Sequence, residues 1–275
     1  MRRLERMHPA VCFAYLFAVL GLTAFAGSPV AVLESLTGAL LLAALSDRLH
    51  GAGWYLVIAL AAALANFAFV HNGETALFFV GDAAFTLEAL LYGAFTGVML
   101  AAVCMWGNCS VRFLPSDKYI WLLGRALPSA GLVLSCAVRF IPMFIRRTRE
   151  YNAVLAGENP TLKDHLRAFS ASLGRSAEQA MDSAVSMRAR GYGTSRRTSF
   201  SVYRLTAGTV AALCGVFSLT AACIALTACG AGGFWFYPAV SEIGTKFNDM
   251  ALYCGFGALC LLPSAVAVYE RIRYG

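Results

Sequence analysis

Residues 177–193 read Ala177-Glu178-Gln179-Ala180-Met181-Asp182-Ser183-Ala184-Val185-Ser186-Met187-Arg188-Ala189-Arg190-Gly191-Tyr192-Gly193. Ala177, Ala180, Met181, Ala184 and Met187 keep one face of a helix small and apolar. Two arginines, Arg188 and Arg190, close the stretch, and the glycines behind them supply a C-terminal stop. Cations are favoured at a helix C-terminus by the macrodipole. The stretch therefore predicts a helix that stops at Gly191 and carries guanidinium groups at its end.

Upstream, Thr161 is the expected N-cap, with Asp164 in the acidic position of a capping box. Between these limits Leu162, Leu166, Phe169, Leu173, Ala177, Ala180 and Ala184 fall three or four residues apart, which is one apolar stripe on a polar helix. Such a helix has too many charges to cross a bilayer and is expected outside it. Ala168, Ser170, Ala171, Ser172, Gly174, Ser176 and Ser183 crowd its surface and permit a second helix to cross at close range. The expected partner is the helix over 129–155, joined to it by the turn Gly157-Glu158-Asn159-Pro160. That partner is apolar at first. It turns basic from Arg139-Phe140-Ile141-Pro142 to Arg146-Arg147-Thr148-Arg149, so it leaves the membrane as it proceeds, with a kink expected at Pro142.

The rest of the chain sets the contrast. Of 275 residues, 59% are hydrophobic and 13% charged, and the mean hydropathy is +0.65. A soluble domain carries about 25% charged residues, so an integral membrane protein is indicated. The net charge of +7 gathers at 2–6, 139–175 and 188–204. The positive-inside rule makes those segments, and both termini, cytoplasmic. No basic run is interleaved with stacking aromatics, so nucleic acid is not an expected partner. Apolar spans are expected at about 10–26, 30–46, 54–70, 86–106, 204–228 and 248–269, with a short interfacial piece before 86 and a polar loop from Gly107 to Lys118. The fold class is thus an all-α membrane protein of about six transmembrane helices plus two long crossed cytoplasmic helices. It divides into N-terminal membrane helices at 1–128, a cytoplasmic helix region at 129–200 and C-terminal membrane helices at 201–275. Phe234-Trp235-Phe236-Tyr237-Pro238, before the last span, suits an interfacial aromatic belt.

Chemistry-bearing signatures are few. The nine cysteines form no Cys-x-x-Cys pair and read as packing residues. The histidines 8, 50, 71 and 165 share no ligand spacing, so no metal site is expected. No Gly-x-x-x-x-Gly-Lys run is present, so this chain is not expected to bind ATP, and no Ser-His-Asp or Cys-His set points to catalysis. Asp82 and Glu88 are expected near an interface, and Glu34 lies within an apolar run.

The segment from Met187 to Gly193, with Arg196-Arg197-Thr198 behind it, resembles the signature of the transmembrane T component of energy-coupling factor (ECF) ABC transporters. Met7-His8-Pro9 resembles the start of that family. Arg139-Phe140-Ile141-Pro142 resembles the stretch at the head of its first coupling helix, and Tyr237-Pro238 is similar to the approach to its last span. The resemblance touches most of the chain in the family's order. It departs at Ala153-Val154-Leu155-Ala156-Gly157, where Ala156 stands in place of the first tip's arginine. Ala156, Gly157 and Glu158 would then form a degenerate first docking tip, with Arg149 or Glu158 as substitutes.

The resemblance implies a non-catalytic scaffold in a prokaryotic cell membrane. Its partners would be two ABC-type ATPases, which bind the ATP, and a membrane substrate-binding subunit. The cargo would be a vitamin or a metal ion. Arg188, Ala189, Arg190 and Gly191 would dock an ATPase groove, and the stripe 162–184 would transmit its movement. Without the resemblance, a solvated helix-terminal cation is the favoured reading of Arg190. The alternative function is a stand-alone secondary transporter or channel, which should show repeats or broken helices with polar midplane residues.

Overall fold

In the computed structural model, the structure describes residues 7–46, 52–70, 73, 75–80, 83–155, 161–192, 203, 205–237, 240–242 and 244–274. The helices are α1 Pro9–Ala24, α2 Pro29–Leu45, α3 Ala52–Phe69, α4 Leu87–Phe113, α5 Ser116–Ala126, α6 Pro128–Leu155, α7 Leu162–Ala189, α8 Ala207–Ala228 and α9 Phe247–Tyr274. Between α3 and α4 lies a two-stranded antiparallel hairpin, β1 Ala76–Val80 and β2 Ala83–Thr86. The chain separates into two compact units, one of 1–115 with 204–275 and one of 116–203.

The first unit starts its helices by a repeated device. His8 and Ser28 are N-caps, each followed by proline at the first helical position, where a missing N–H costs nothing. The His8 Nδ1 accepts from the Ala10 N–H at 3.3 Å, and the Ser28 hydroxyl from the Ala31 N–H at 3.4 Å. Within this unit α3 packs on α4, α2 on α4 and α9, and α1 on α4 and α8.

Glycines set the closest approaches. Gly93 and Gly97 lie one turn apart on α4 and face α3. A methyl group at Gly93 would sit 2.7 Å from the Ala63 carbonyl oxygen, and one at Gly97 would run into that of Ala59. Small residues four apart allow membrane helices to bring their backbones together. Gly38 of α2 meets Cys260 of α9 in the same way, with a methyl placed 2.9 Å from the Cys260 carbonyl oxygen.

Polar bonds stitch the apolar core. The buried Trp106 indole donates to the Ser35 hydroxyl at 3.0 Å, and Ser35 shares a 2.7 Å bond with Thr23. Tyr15 stands edge-on to Trp106 at 6.1 Å, and its hydroxyl donates to the Leu259 carbonyl at 3.0 Å. That carbonyl lies four residues before Pro263, inside α9, and proline has no N–H to offer it. A tyrosine from α1 replaces the missing helical donor. Beside this network, Glu34 Oε2 is shut off from solvent and has no hydrogen-bond partner among the described residues, close to Gly257.

Two expectations need correction. The piece before residue 86 is the β1–β2 hairpin, with Phe78 opposite Phe85 and Val80 opposite Ala83. Its aromatic and β-branched residues favour strand, and the Gly-Asp pair at 81–82, outside the described residues, suits a two-residue turn. The Thr75 hydroxyl donates to Glu88 Oε1 at 2.6 Å, fixing the hairpin to the first turn of α4. Second, α4 does not end near 106 but runs to Phe113. Arg112 donates to the Ser46 carbonyl and Cys109 to that of Ala39, so packing on α2 carries the helix through Gly107 and Asn108. The apolar helices differ in length. Four helices are long and apolar enough to cross a membrane: Leu87–Phe113, Ser129–Val154, Ala207–Ala228 and Phe247–Arg273. They mark the chain as a membrane protein. The other expected spans, α1, α2 and α3, are apolar but shorter, with 16, 17 and 18 residues, at the lower end of the roughly 17–25 that cross a bilayer core.

In the loop before α9, the Gly232 N–H donates to Asp249 Oδ1 at 2.7 Å and the Lys246 N–H to Oδ2 at 3.1 Å, anchoring the loop to the first turn of α9. Phe236 packs against Tyr92 at 5.3 Å and Phe95 at 5.0 Å. The aromatic run thus closes over α4, while Trp235 remains exposed.

In the second unit, α5 and α6 turn back on each other where Gly124 meets Gly131, with no room for a side chain on Gly131. Helix α6 continues through Pro142 as one element.

Candidate partner-docking site on α7

The site begins at the cap of α7. The Asp164 carboxylate accepts from the Thr161 hydroxyl at 2.6 Å and from the Thr161 N–H at 3.1 Å. The side-chain bond is the larger cause that holds the Asp164 carboxyl below its ordinary value, and Arg167 at 3.5 Å adds to it.

Helix α7 rests on α6 through small and polar side chains. Ala168 and Ser172 are buried, and Ser176, Gln179, Ser183 and Met187 are half-buried along the same face. Thr148 donates to the Ser172 hydroxyl at 3.2 Å, and Asn152 meets His165 at 3.2 Å. Phe144 and Phe169 stand edge-to-face at 5.7 Å. Side chains as small as Ala168 and Ser172 leave shallow ridges on this face.

Apart from Phe169, which meets Phe144 at its edge, the apolar stripe faces elsewhere. Leu162, Leu166, Phe169, Leu173, Ala177, Ala180 and Ala184 are all exposed, Leu162 by 77% and Leu166 by 60%. Met181 and Val185, which lie outside that seven-residue row, widen the exposed apolar face. Their spacing on the helix was the available signal for them.

The C-terminus of α7 is closed by its backbone. The Tyr192 N–H bonds to the Met187 carbonyl and the Gly191 N–H to that of Arg188, each at 3.0 Å. Gly191 has φ 78°, a left-handed conformation that side chains other than glycine adopt at a cost. This pair of reversed bonds is a Schellman motif. It uses carbonyls that would otherwise be orphaned and fixes the direction of the chain end. Arg188, Ala189 and Arg190 are exposed around it. Among the described residues, neither guanidinium has an ion-pair partner. Two cations on a rigid, backbone-closed tip can meet a carboxylate in a groove, and a bidentate arginine pair gives direction as well as strength.

The other expected site residues are placed separately. Arg139 and Pro142 are exposed on α6, and Phe140 is half-buried. Ala156, Gly157 and Glu158 lie outside the described residues, as do Arg196, Arg197 and Pro238. Nearby on α6, Arg146 and Glu150 form an exposed i,i+4 pair at 3.0 Å.

No family model matches this chain, and no curated protein matches it at a significant level.

Proposed function

We propose that this chain is the scaffold subunit of an ECF-type ABC importer. In this reading the apolar helices form about six spans in a prokaryotic plasma membrane, with both termini cytoplasmic, and α6 and α7 are the crossed cytoplasmic coupling helices. The chain performs no catalysis. Two ABC-type ATPases bind and hydrolyse the ATP, and a separate membrane subunit binds the vitamin or metal ion that is taken up.

One observation carries the reading. Helix α7 ends in a backbone-closed tip at Gly191 that leaves Arg188 and Arg190 exposed without ion-pair partners among the described residues. A rigid helix end that carries two cations suits insertion in a groove with acidic walls. ATP binding draws the two ATPases together, and the grooves that hold the coupling tips move with them. The alanines, serines and threonine of the α6–α7 seam ease a change of crossing between the two rods, with the Phe144–Phe169 pair as the bulky contact that must shift. That seam is the two-state element on which coupling depends.

The test is Arg190→Ala in the assembled complex. Loss of a buried charge pair costs about 2–5 kcal/mol of binding, much of it from the acidic group left unpaired. Co-purification of Walker-motif ATPases and ATP-dependent uptake should both fall. Wild-type levels of both would end the proposal. So would transport by the purified chain alone, which would favour the stand-alone carrier.

A further inference from the structure

We propose that the seam of α2 and α9 around Glu34 is the docking site for a transmembrane helix of a partner membrane subunit, one that brings a hydrogen-bond donor to the Glu34 carboxyl. Only the identity of that partner, the substrate-binding subunit, rests on the scaffold reading. Glu34 is the one charged residue of α2, and α9 has none between Asp249 and Glu270. The two helices meet closely where Gly38 faces Cys260. One turn from Gly38, the Glu34 carboxyl lies over Gly257, where an added methyl group would stand 3.5 Å from Oε2 and 3.7 Å from Oε1. Glycine has no side chain to bind it, and Oε2 has no hydrogen-bond partner among the described residues. The Thr37 hydroxyl, one turn along α2, donates instead to the Glu34 carbonyl at 2.9 Å.

The level of the carboxyl decides what can satisfy it. Gly257 lies within the apolar stretch Phe247–Arg273, eight residues beyond Asp249 and so about 12 Å along the helix from it. A carboxyl at that depth is costly unless a polar group meets it. Around it the surface is apolar: Leu33 and Leu41 of α2 and Met250 and Leu261 of α9 are all exposed. An occupant must therefore be apolar along its length and carry one donor at the level of Gly257, which describes a membrane helix with a single polar or basic side chain on its contact face. Lipid tails have no donor to give. A second copy docked on the same seam around a two-fold axis brings a second carboxyl where a donor is needed.

The test uses Glu34→Leu and Glu34→Gln in the full-length chain and two measurements. For the purified chain alone, unfolding in mixed micelles should require more dodecyl sulfate in Glu34→Leu than in the wild type, because an apolar side chain replaces a polar group with no partner. For complexes purified from native membranes through a tag on this chain, Glu34→Leu should lower the yield of the accompanying membrane subunit several-fold and leave the yield of Walker-motif ATPases unchanged. Glu34→Gln keeps the size and hydrogen-bonding capacity of the side chain and should retain more of the subunit than Glu34→Leu. A less stable Glu34→Leu chain would mean that the carboxyl is used within the chain, and would overturn the proposal. An unchanged subunit yield would do the same, as would a dimer of the purified wild-type chain that Glu34→Leu dissociates. If no ATPases accompany the wild-type chain, the scaffold reading fails, and the seam is judged by the ratio of membrane partner to tagged chain, with the same loss expected.

Discussion

Replacing Tyr15 by phenylalanine removes one hydroxyl and leaves the ring against Trp106 in place. The hydroxyl donates to the Leu259 carbonyl at 3.0 Å, and Pro263 denies that carbonyl its usual helical donor. Interhelical hydrogen bonds between membrane helices contribute about 0.6 kcal/mol on average and up to about 1.7. Leaving a buried carbonyl unpaired raises the cost, since an unsatisfied acceptor forfeits about 1–3 kcal/mol. Tyr15→Phe should therefore destabilise the first unit by about 1–2 kcal/mol. The decisive measurement is a double-mutant cycle with Pro263→Ala, read by reversible unfolding in mixed micelles titrated with dodecyl sulfate. An alanine at 263 returns an N–H to the Leu259 carbonyl, so the tyrosine hydroxyl should then be worth no more than about 0.5 kcal/mol. A coupling of about 1 kcal/mol is expected. If Tyr15→Phe costs the same in both backgrounds, the hydroxyl is not compensating for the proline and the reasoning fails.

Gly97→Ala should destabilise the α3–α4 pair by about 1–3 kcal/mol, because the added methyl runs into the Ala59 carbonyl. Gly107→Ala on the same helix meets open space and should be neutral or stabilising by up to about 1 kcal/mol, and thermal unfolding of the two variants compares them directly. Gly191→Ala should strain the left-handed position at the tip of α7 by about 1 kcal/mol and speed amide exchange at Gly191 and Tyr192 relative to mid-helix amides. The Asp164 carboxyl is held below its ordinary value in the folded chain, so it binds its proton less readily there than when unfolded. Its stabilising effect is present at neutral pH, above the unfolded value, and is lost as pH falls through the lowered folded value. Amide exchange in the first turn of α7 should accelerate over that acid window, and Asp164→Asn should flatten the response.

The ends of α7 were legible because local chemistry decides them. A threonine and an aspartate three residues apart cap one end, and Gly191 reverses the other. Distant partners decide what was missed. Gly107 and Asn108 look like a loop until Arg112 and Cys109 bind the carbonyls of Ser46 and Ala39. The hairpin hid inside an apolar run, where alternation is weak and a short strand resembles a short buried helix. For the site, the seven-residue row pointed to one apolar face. Only the packing of Ala168 and Ser172 on α6 revealed that this face looks away from the neighbouring helix. The Gly93 and Gly97 pair had a readable spacing but gained its meaning from Ala59 and Ala63 on another helix.

The first unit is assembled from the two ends of the chain, with residues 116–203 made between them. Tyr15 and Leu259, joined by one hydrogen bond, are 244 positions apart. A ribosome adding about 5–20 residues per second needs on the order of ten seconds to finish the intervening unit. Throughout that interval α1 and α2 lack α8 and α9, and their contacts with α4, among them the Ser35–Trp106, Ser46–Arg112 and Ala39–Cys109 bonds, are what can hold them. Insertion must therefore proceed through a half-built intermediate. Its survival rests on the early helices alone, which makes Ser35 and Trp106 as relevant to biogenesis as to the finished protein.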